Sequence, residues 1–285
     1  MTITNTTVRS LGLLCMAALT LTTPVTTQAA ALPAPTDSPI LLVGASFVEG
    51  KLPLDDAMQG PFGGSSVGFG SYMDLGDALS RQGKFVVNEA QAGATATDRQ
   101  MCLDAFCLPV GWLGYSGQLT KALARVAIPD PADPTQLLGH NAQYVYFGLV
   151  NDCMHSGAAG VPQLESSPCD EQQIEAFLDD VLDAAAEATA AGLVPVFPQY
   201  PDYGDIDLSI QAAATGLTWY ASEEEWNLLA QVWHERIAQD LPDAIIVDAW
   251  ANMGTLPDGL HPTPQSSKKA AKRIIEAITV YEDGA

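Results

Sequence analysis

The sequence predicts an α/β fold, a three-layer α/β/α sandwich around a central parallel sheet of five strands. Short apolar runs rich in β-branched residues alternate along the chain with segments of helical periodicity. Near-continuous apolar strands of this kind are typical of parallel sheets that are covered by helices on both faces. The five runs span residues 40–45, 85–88, 144–149, 194–198 and 245–248.

Capping signals mark the starts of several of the helices between these strands. Asp170 with Gln173, and Ser222 with Glu225, have the spacing of a capping box and precede stripes of apolar residues at helical spacing. Pro264 predicts the first turn of the last helix. Two long connections, residues 95–115 and 199–221, follow strands, so we expect both at the carboxyl edge of the sheet.

The first 31 residues predict a secretory signal peptide, and residues 32–285 predict a single domain. An apolar stretch from residue 11 to 21 is too short to span a bilayer and is followed by the small residues Ala29 to Ala31, which mark a cleavage site. Cys15 is preceded by Leu14, whereas a lipoprotein signal has a small residue there. We therefore expect a secreted protein, extracellular or periplasmic, with no membrane anchor. We also expect a monomer, although the sequence does not determine the oligomeric state.

The charge of the chain is strongly acidic. It has 12 lysines and arginines against 34 aspartates and glutamates, a formal net charge of −22 at pH 7. Such a surface repels nucleic acids and anionic membranes, so the sequence predicts no nucleic-acid partner.

Four cysteines lie beyond the predicted signal peptide. An even number of cysteines in an exported protein predicts two disulfides, for which three connectivities are possible. Closeness in sequence favours Cys102–Cys107 and Cys153–Cys169. The spacings match no zinc finger, so no metal is expected there.

The residues that can carry chemistry each follow a predicted strand. They are Ser46 after the first strand, Gly93 after the second, Asn151 after the third, and Asp258 with His261 after the last. Because the carboxyl ends of parallel strands meet at one edge of a sheet, we expect these residues to converge there.

The residue types in this set are those of a serine hydrolase. A carboxylate three residues before a histidine, as in Asp258 and His261, can hydrogen-bond one ring nitrogen and leave the other available. A serine hydroxyl held against that second nitrogen can lose its proton to it while it attacks a carbonyl carbon. Ser46 is the candidate nucleophile.

These four blocks resemble the SGNH hydrolase family, also called GDSL-like esterases and lipases, of the secreted bacterial type. That family has Gly-Asp-Ser, then a glycine, then Gly-x-Asn-Asp, and finally Asp-x-x-His. The matching positions here are Gly44-Ala45-Ser46, Gly93, Asn151-Asp152, and Asp258 with His261. Two positions depart from the pattern: Ala45 replaces the aspartate, and Gly148 stands one residue too far from Asn151.

The resemblance implies the flavodoxin-like SGNH hydrolase fold and a secreted serine esterase. Ser46 would attack the ester and form an acyl-enzyme, His261 would act as the base, and Asp258 would orient it. The backbone N–H groups of Ser46 and Gly93 and the side-chain amide of Asn151 would form the oxyanion hole. Neither a metal nor an organic cofactor is needed.

The substrate class stays open among a small acyl ester, an acetylated polysaccharide, a lipid and a polyester. Aromatic residues in the two long connections favour an apolar or sugar-stacking cleft. One alternative keeps the site but makes it a thioesterase or a phospholipid acyl hydrolase, which substrate panels would distinguish. Another is a catalytically dead secreted binding protein, which a serine-reactive probe would leave unlabelled.

Overall fold

The computed structural model describes residues 38–49, 74–103, 106–154, 169–215 and 222–284. All of them belong to one compact unit, Ala34–Ala285. The predicted signal peptide, residues 1–31, lies outside the described residues.

Nine strands occur in the described part of the chain, and five of them form the central parallel sheet that the sequence predicts. In chain order the strands are β1 (Ile40–Val43), β2 (Val86–Asn88), β3 (Arg99–Leu103), β4 (Phe106–Trp112), β5 (Ala127–Pro129), β6 (Leu137–His140), β7 (Tyr144–Phe147), β8 (Val194–Pro198) and β9 (Ile245–Val247). The sheet has the order β2-β1-β7-β8-β9, and every neighbouring pair is parallel. Counted along the chain, this is the order 2-1-3-4-5 of flavodoxin-like folds.

Helices flank the sheet and complete the predicted α/β architecture. They are α1 (Ser46–Glu49), α2 (Leu75–Ser80), α3 (Tyr115–Arg125), α4 (Glu171–Ala190), α5 (Leu208–Thr215), α6 (Glu223–Asp240) and α7 (Pro264–Gly284). Helix α4 packs against α3 and against α6, and α2 packs against α7. Strands β1 and β7 are buried along their whole length, as expected for strands that lie between two helical layers. Both predicted capping boxes are present, at the starts of α4 and α6.

The two long connections contain more regular structure than the sequence predicts. Residues 95–115 include an antiparallel hairpin, in which β3 pairs with β4 and Arg99 lies opposite Trp112. Residues 199–221 include a 3-10 turn, Tyr203–Asp205, and helix α5. A second hairpin, β5–β6, precedes the central strand β7.

The aromatic residues of these connections do not all line a cleft. Tyr115 is fully buried, and its hydroxyl donates to the carbonyl oxygen of Gly148. Tyr200 is also buried and packs edge-on against Trp226. The expectation of a cleft is therefore wrong for these two tyrosines, because both contribute to the core. Trp219 and Tyr220 lie outside the described residues.

The structure contains a disulfide between Cys153 and Cys169. For the other predicted pair, the hairpin register places the backbone of Cys102 opposite that of Cys107, but these two side chains lie outside the described residues. None of the described helices combines the length and the apolar character that a membrane span requires.

Candidate active site

Ser46 is presented by a tight turn between β1 and α1. Gly44 has a φ of +141°, and a Cβ atom on it would lie 3.0 Å from the Cα atom of Gly148. Only glycine combines this backbone conformation with so close an approach. The buried side chain of Gln118 braces the turn, since its Oε1 accepts the Gly44 N–H at 2.6 Å and its Nε2 donates to the Gly44 carbonyl at 3.1 Å. The Ser46 turn is thus held by hydrogen bonds to both the N–H and the carbonyl of Gly44.

Asp258 and His261 lie in the loop between β9 and α7. Asp258 Oδ1 accepts the backbone N–H groups of Leu260 and His261 at 2.9 and 3.0 Å, which folds the four residues into a compact turn. Gly259 has a φ of +78°, and its carbonyl accepts the Asp207 N–H at 2.6 Å. The segment that leads into α5 therefore braces the turn from outside.

The imidazole of His261 joins the two halves of the site. Its Nδ1 lies 2.7 Å from Asp258 Oδ2, and its Nε2 lies 2.8 Å from Ser46 Oγ. All three residues are buried, with exposures of 6%, 1% and 2% for Ser46, Asp258 and His261. The structure therefore brings together, in hydrogen-bonding order, three residues that the sequence places up to 215 positions apart.

The environment of Asp258 favours its ionised form. Burial raises the pKa of this carboxyl, but the hydrogen bond and the charge interaction with His261, together with the two backbone N–H groups, lower the pKa below its ordinary value. An ionised Asp258 can hold the His261 ring with Nδ1 protonated, which leaves Nε2 able to accept the serine proton.

An aromatic residue that sequence reasoning missed, Phe47, lies beside the imidazole and packs against Trp250. The Phe47 ring centroid is 5.8 Å from that of His261 and 5.5 Å from that of Trp250, in an edge-on arrangement with the latter. Phe47 directly follows Ser46, so its position next to the candidate nucleophile is the one signal that the sequence offers for it. The Phe47 ring therefore places apolar surface against the imidazole.

The loops after β2 and β7 are joined at one carbonyl oxygen. The backbone N–H and the side-chain Nδ2 of Asn151 both donate to the carbonyl of Ala94, at 3.1 and 2.9 Å. Gly93, with a φ of +85°, precedes Ala94 directly. The two loops that carry Gly93 and Asn151 are therefore held as one unit.

Asp152 forms another link between the same two loops. Its Oδ2 accepts the Ala96 N–H at 2.8 Å. Burial raises the pKa of Asp152 to about 6, although the Ala96 hydrogen bond and the positive charge of Arg99 act in the opposite direction. The Cys153–Cys169 disulfide follows immediately, and Cys153 itself has a φ of +62°.

The displaced glycine of the third block has a packing role. Gly148 donates its N–H to the Val43 carbonyl at 2.8 Å, which extends the pairing of β1 with β7 to the start of the Ser46 turn. A Cβ atom at this position would lie 2.1 Å from Val48 Cγ2. Glycine is required here for close packing, one residue before the position that the family pattern predicts.

The described residues contain no group of three or more histidine, cysteine, aspartate or glutamate side chains placed to hold a metal ion.

Comparison with known protein families shows to which family the chain belongs. A model of the family described as GDSL-like lipase/acylhydrolase matches residues 40–274. This chain belongs to the GDSL-like lipase/acylhydrolase family. Membership makes it a hydrolase of the esterase and acylhydrolase type, and the matched region includes every residue of the site described above.

Three solved structures resemble this chain at low sequence identity, and the first of them shows the same fold. A carbohydrate acetylesterase family member from Sinorhizobium meliloti is 14% identical, with 86% of this chain and 98% of that chain covered and a TM-score of 0.52. The psychrotrophic esterase EstA from Pseudoalteromonas sp. is 12% identical, with 87% and 100% covered and a TM-score of 0.43. A GDSL-like lipase from Bacteroides thetaiotaomicron is 12% identical, with 91% and 96% covered and a TM-score of 0.45. Among curated proteins, none matches this GDSL-like chain.

Proposed function

We propose that this GDSL-like protein is a serine esterase that hydrolyses carboxylic esters through a Ser46–His261–Asp258 triad. The observation that carries the proposal is the position of the His261 ring, 2.8 Å from Ser46 Oγ on one side and 2.7 Å from Asp258 Oδ2 on the other. A serine, a base and an orienting carboxylate in this order are the parts of nucleophilic acyl transfer.

The reaction begins when Ser46 Oγ attacks the ester carbonyl carbon and its proton passes to His261 Nε2. Asp258 stabilises the imidazolium that forms. The tetrahedral intermediate collapses, and the leaving alcohol takes the proton from Nε2. Water, with His261 again as the base, then cleaves the acyl-enzyme and restores the Ser46 hydroxyl.

The oxyanion of each tetrahedral intermediate is held by the backbone N–H groups of Ser46 and Gly93 and by the side-chain amide of Asn151. The Asn151 amide nitrogen carries two hydrogens, and its bond to the Ala94 carbonyl orients the group. Each such donor contributes about 3 kcal/mol to transition-state stabilisation.

The protein acts outside the cytoplasm after removal of residues 1–31. The order of apolar and small residues in that segment supports export. The Cys153–Cys169 disulfide fits an oxidising compartment. The proposed substrates are esters met there: small acyl esters, acetylated polysaccharides, lipids or polyesters.

The test is hydrolysis of p-nitrophenyl esters, from acetate to palmitate, by the parent protein and by Ser46→Ala. Ser80→Ala, which changes an exposed serine at the end of α2, is the matched control. We expect activity in the parent and in Ser80→Ala and its loss in Ser46→Ala, with the best chain length indicating the size of the acyl pocket. Activity that survives in Ser46→Ala would reject the assigned nucleophile.

A further inference from the structure

The peptide that contains the Gly93 N–H is held by a tryptophan from the β3–β4 hairpin. Trp112 Nε1 donates a hydrogen bond to the Ala92 carbonyl at 2.8 Å. That carbonyl and the Gly93 N–H belong to one planar trans peptide, so they point in opposite directions. A donor that fixes the direction of the carbonyl therefore fixes the direction of the N–H as well.

The amides directly before and after Gly93 in the chain are engaged elsewhere. The Gln91 N–H donates to the Gly44 carbonyl at 3.0 Å, and the Ala94 N–H donates to the Gln91 carbonyl at 2.9 Å. The Ala92 N–H donates to the Glu49 carboxylate. The Gly93 N–H, by contrast, donates to no residue that the structure describes. Among the described amides from Gln91 to Ala94, only that of Gly93 is thus left available as a hydrogen-bond donor.

Arg99 secures the following peptide and the tryptophan together. Its guanidinium donates to the Gly93 carbonyl, and its Cζ lies 5.4 Å from the centre of the Trp112 ring. Arg99 and Trp112 are opposite one another in the hairpin register. Two facing residues of the hairpin therefore hold the carbonyls of Ala92 and Gly93, which lie before and after the Gly93 N–H in the chain.

The hairpin itself is anchored to the same loop. Gln91 Oε1 accepts the Leu113 N–H at 2.8 Å, directly after Trp112 in the chain. Asp98 Oδ1 accepts the Gly114 N–H at 2.7 Å. Gly93 also leaves room for the indole, because a Cβ atom there would lie 3.3 Å from Trp112 Nε1. The indole is thus held in place against the peptide that it contacts.

We propose that Trp112 is a positioning residue for the oxyanion hole, which acts by aiming the Gly93 N–H at the developing oxyanion. This role rests on the proposed esterase function, but it adds a residue outside the four family blocks. A preorganised donor stabilises the transition state only if its direction is fixed before the reaction. Trp112 supplies that constraint from the hairpin, while Ser46 and Asn151 are fixed by other contacts.

The test compares Trp112→Phe with Trp233→Phe. Each substitution removes one indole N–H that donates to a backbone carbonyl at 2.8 Å, from Trp112 to Ala92 and from Trp233 to Pro198. Phenylalanine at position 112 keeps an aromatic face for Arg99. Strand β8, which ends at Pro198, carries none of the proposed catalytic residues.

For Trp112→Phe we expect kcat on p-nitrophenyl acetate to fall about tenfold, part of the effect of losing one oxyanion donor, with KM changed less than about twofold. Inhibition by an alkylboronic acid, whose serine adduct is tetrahedral, should weaken by a similar factor. For Trp233→Phe we expect a lower melting temperature with both kinetic constants and boronate affinity retained.

A Trp112→Phe protein with parental kcat and boronate affinity would overturn the positioning role while leaving the esterase function in place. Equal losses of kcat in both tryptophan variants, in proportion to their loss of melting temperature, would also overturn it. A parent protein whose ester hydrolysis does not depend on Ser46 would overturn the proposed function itself, and the positioning role with it.

Discussion

Asp258 contacts His261 through both of its carboxylate oxygens. Oδ2 lies 2.7 Å from the ring Nδ1, while Oδ1 accepts the backbone N–H of the same histidine at 3.0 Å. One side chain therefore fixes the backbone turn and the orientation of the ring on it. Changes at this aspartate can be designed to keep its contact with the His261 backbone and to alter its contact with the ring.

Asp258→Asn keeps a side chain of the same shape but presents an amide where the ring Nδ1 needs an acceptor. We expect kcat for ester hydrolysis to fall about a thousandfold or more, because the wrong tautomer of His261 is then favoured. Steady-state kinetics with p-nitrophenyl acetate measures the effect. Asp243→Asn, an exposed aspartate outside the site, is the control, and a loss of less than about tenfold at Asp258 would contradict its orienting role.

Removing the Cys153–Cys169 disulfide should lower both stability and activity. The two cysteines are 16 positions apart, and a loop of this length corresponds to about 3 kcal/mol of unfolding free energy. Because Asn151 lies two residues before Cys153, we also expect a lower kcat. Urea unfolding and ester kinetics of the Cys153→Ser, Cys169→Ser double variant test this.

Dithiothreitol provides the comparison for the double variant. Treatment of the parent should reproduce the loss of stability, and any further change in the treated double variant reports on the predicted Cys102–Cys107 pair. If the double variant has an unfolding free energy within about 0.5 kcal/mol of that of the parent, the Cys153–Cys169 disulfide is dispensable for stability.

Gly148→Ala should destabilise the protein by about 2 kcal/mol, because the added methyl overlaps the buried Val48 side chain. Val48 is β-branched and has little freedom to move aside. The control is Gly204→Ala, where nothing lies within 4 Å of the added atom. Equal unfolding free energies for the two variants would mean that the contact between Gly148 and Val48 adapts more easily than its geometry suggests.

Asp152 should make stability depend on pH between about 4 and 6. Its pKa is raised above the ordinary value of an aspartate to about 6, so the folded protein binds this proton more tightly than the unfolded chain does. The resulting stabilisation is complete below the unfolded pKa and is lost as pH rises through about 6. A pKa difference of this size corresponds to roughly 3 kcal/mol.

Asp152→Asn keeps an acceptor for the Ala96 N–H but cannot ionise. Relative to this variant, the parent should therefore lose unfolding free energy between pH 4 and pH 7, and the difference should level off above pH 7. Urea titrations of both proteins at four or five pH values supply the comparison. Parallel stability curves would show that the carboxyl has an ordinary pKa.

The sheet and the order of the site blocks were predictable because each rests on a local signal. The apolar runs predict the five strands, and the i, i+3 spacing of Asp258 and His261 lets a short turn join the two side chains. Because the sheet is parallel, the loop that carries Asp258 and His261 and the turn that carries Ser46 lie at the same carboxyl edge.

The β3–β4 hairpin was not predictable from its residues. Pro109 lies inside β4, and proline within an apolar run argues against a strand. The contacts of Trp112 with Ala92 and of Phe47 with His261 arise from tertiary packing, which no periodicity records. The same holds for Tyr115, whose place in the core depends on the Gly148 carbonyl that it contacts.

The single carbonyl oxygen of Ala94 has a consequence for engineering the protein. It receives both donors of Asn151, so a displacement of either loop is transmitted to the other. Substitutions at this junction should change kcat on every ester by a similar factor. Preference among acyl chains should then be adjustable only by substitutions at other positions. Directed evolution toward a new substrate would then leave this junction unchanged and accumulate its successful mutations in the surrounding connections.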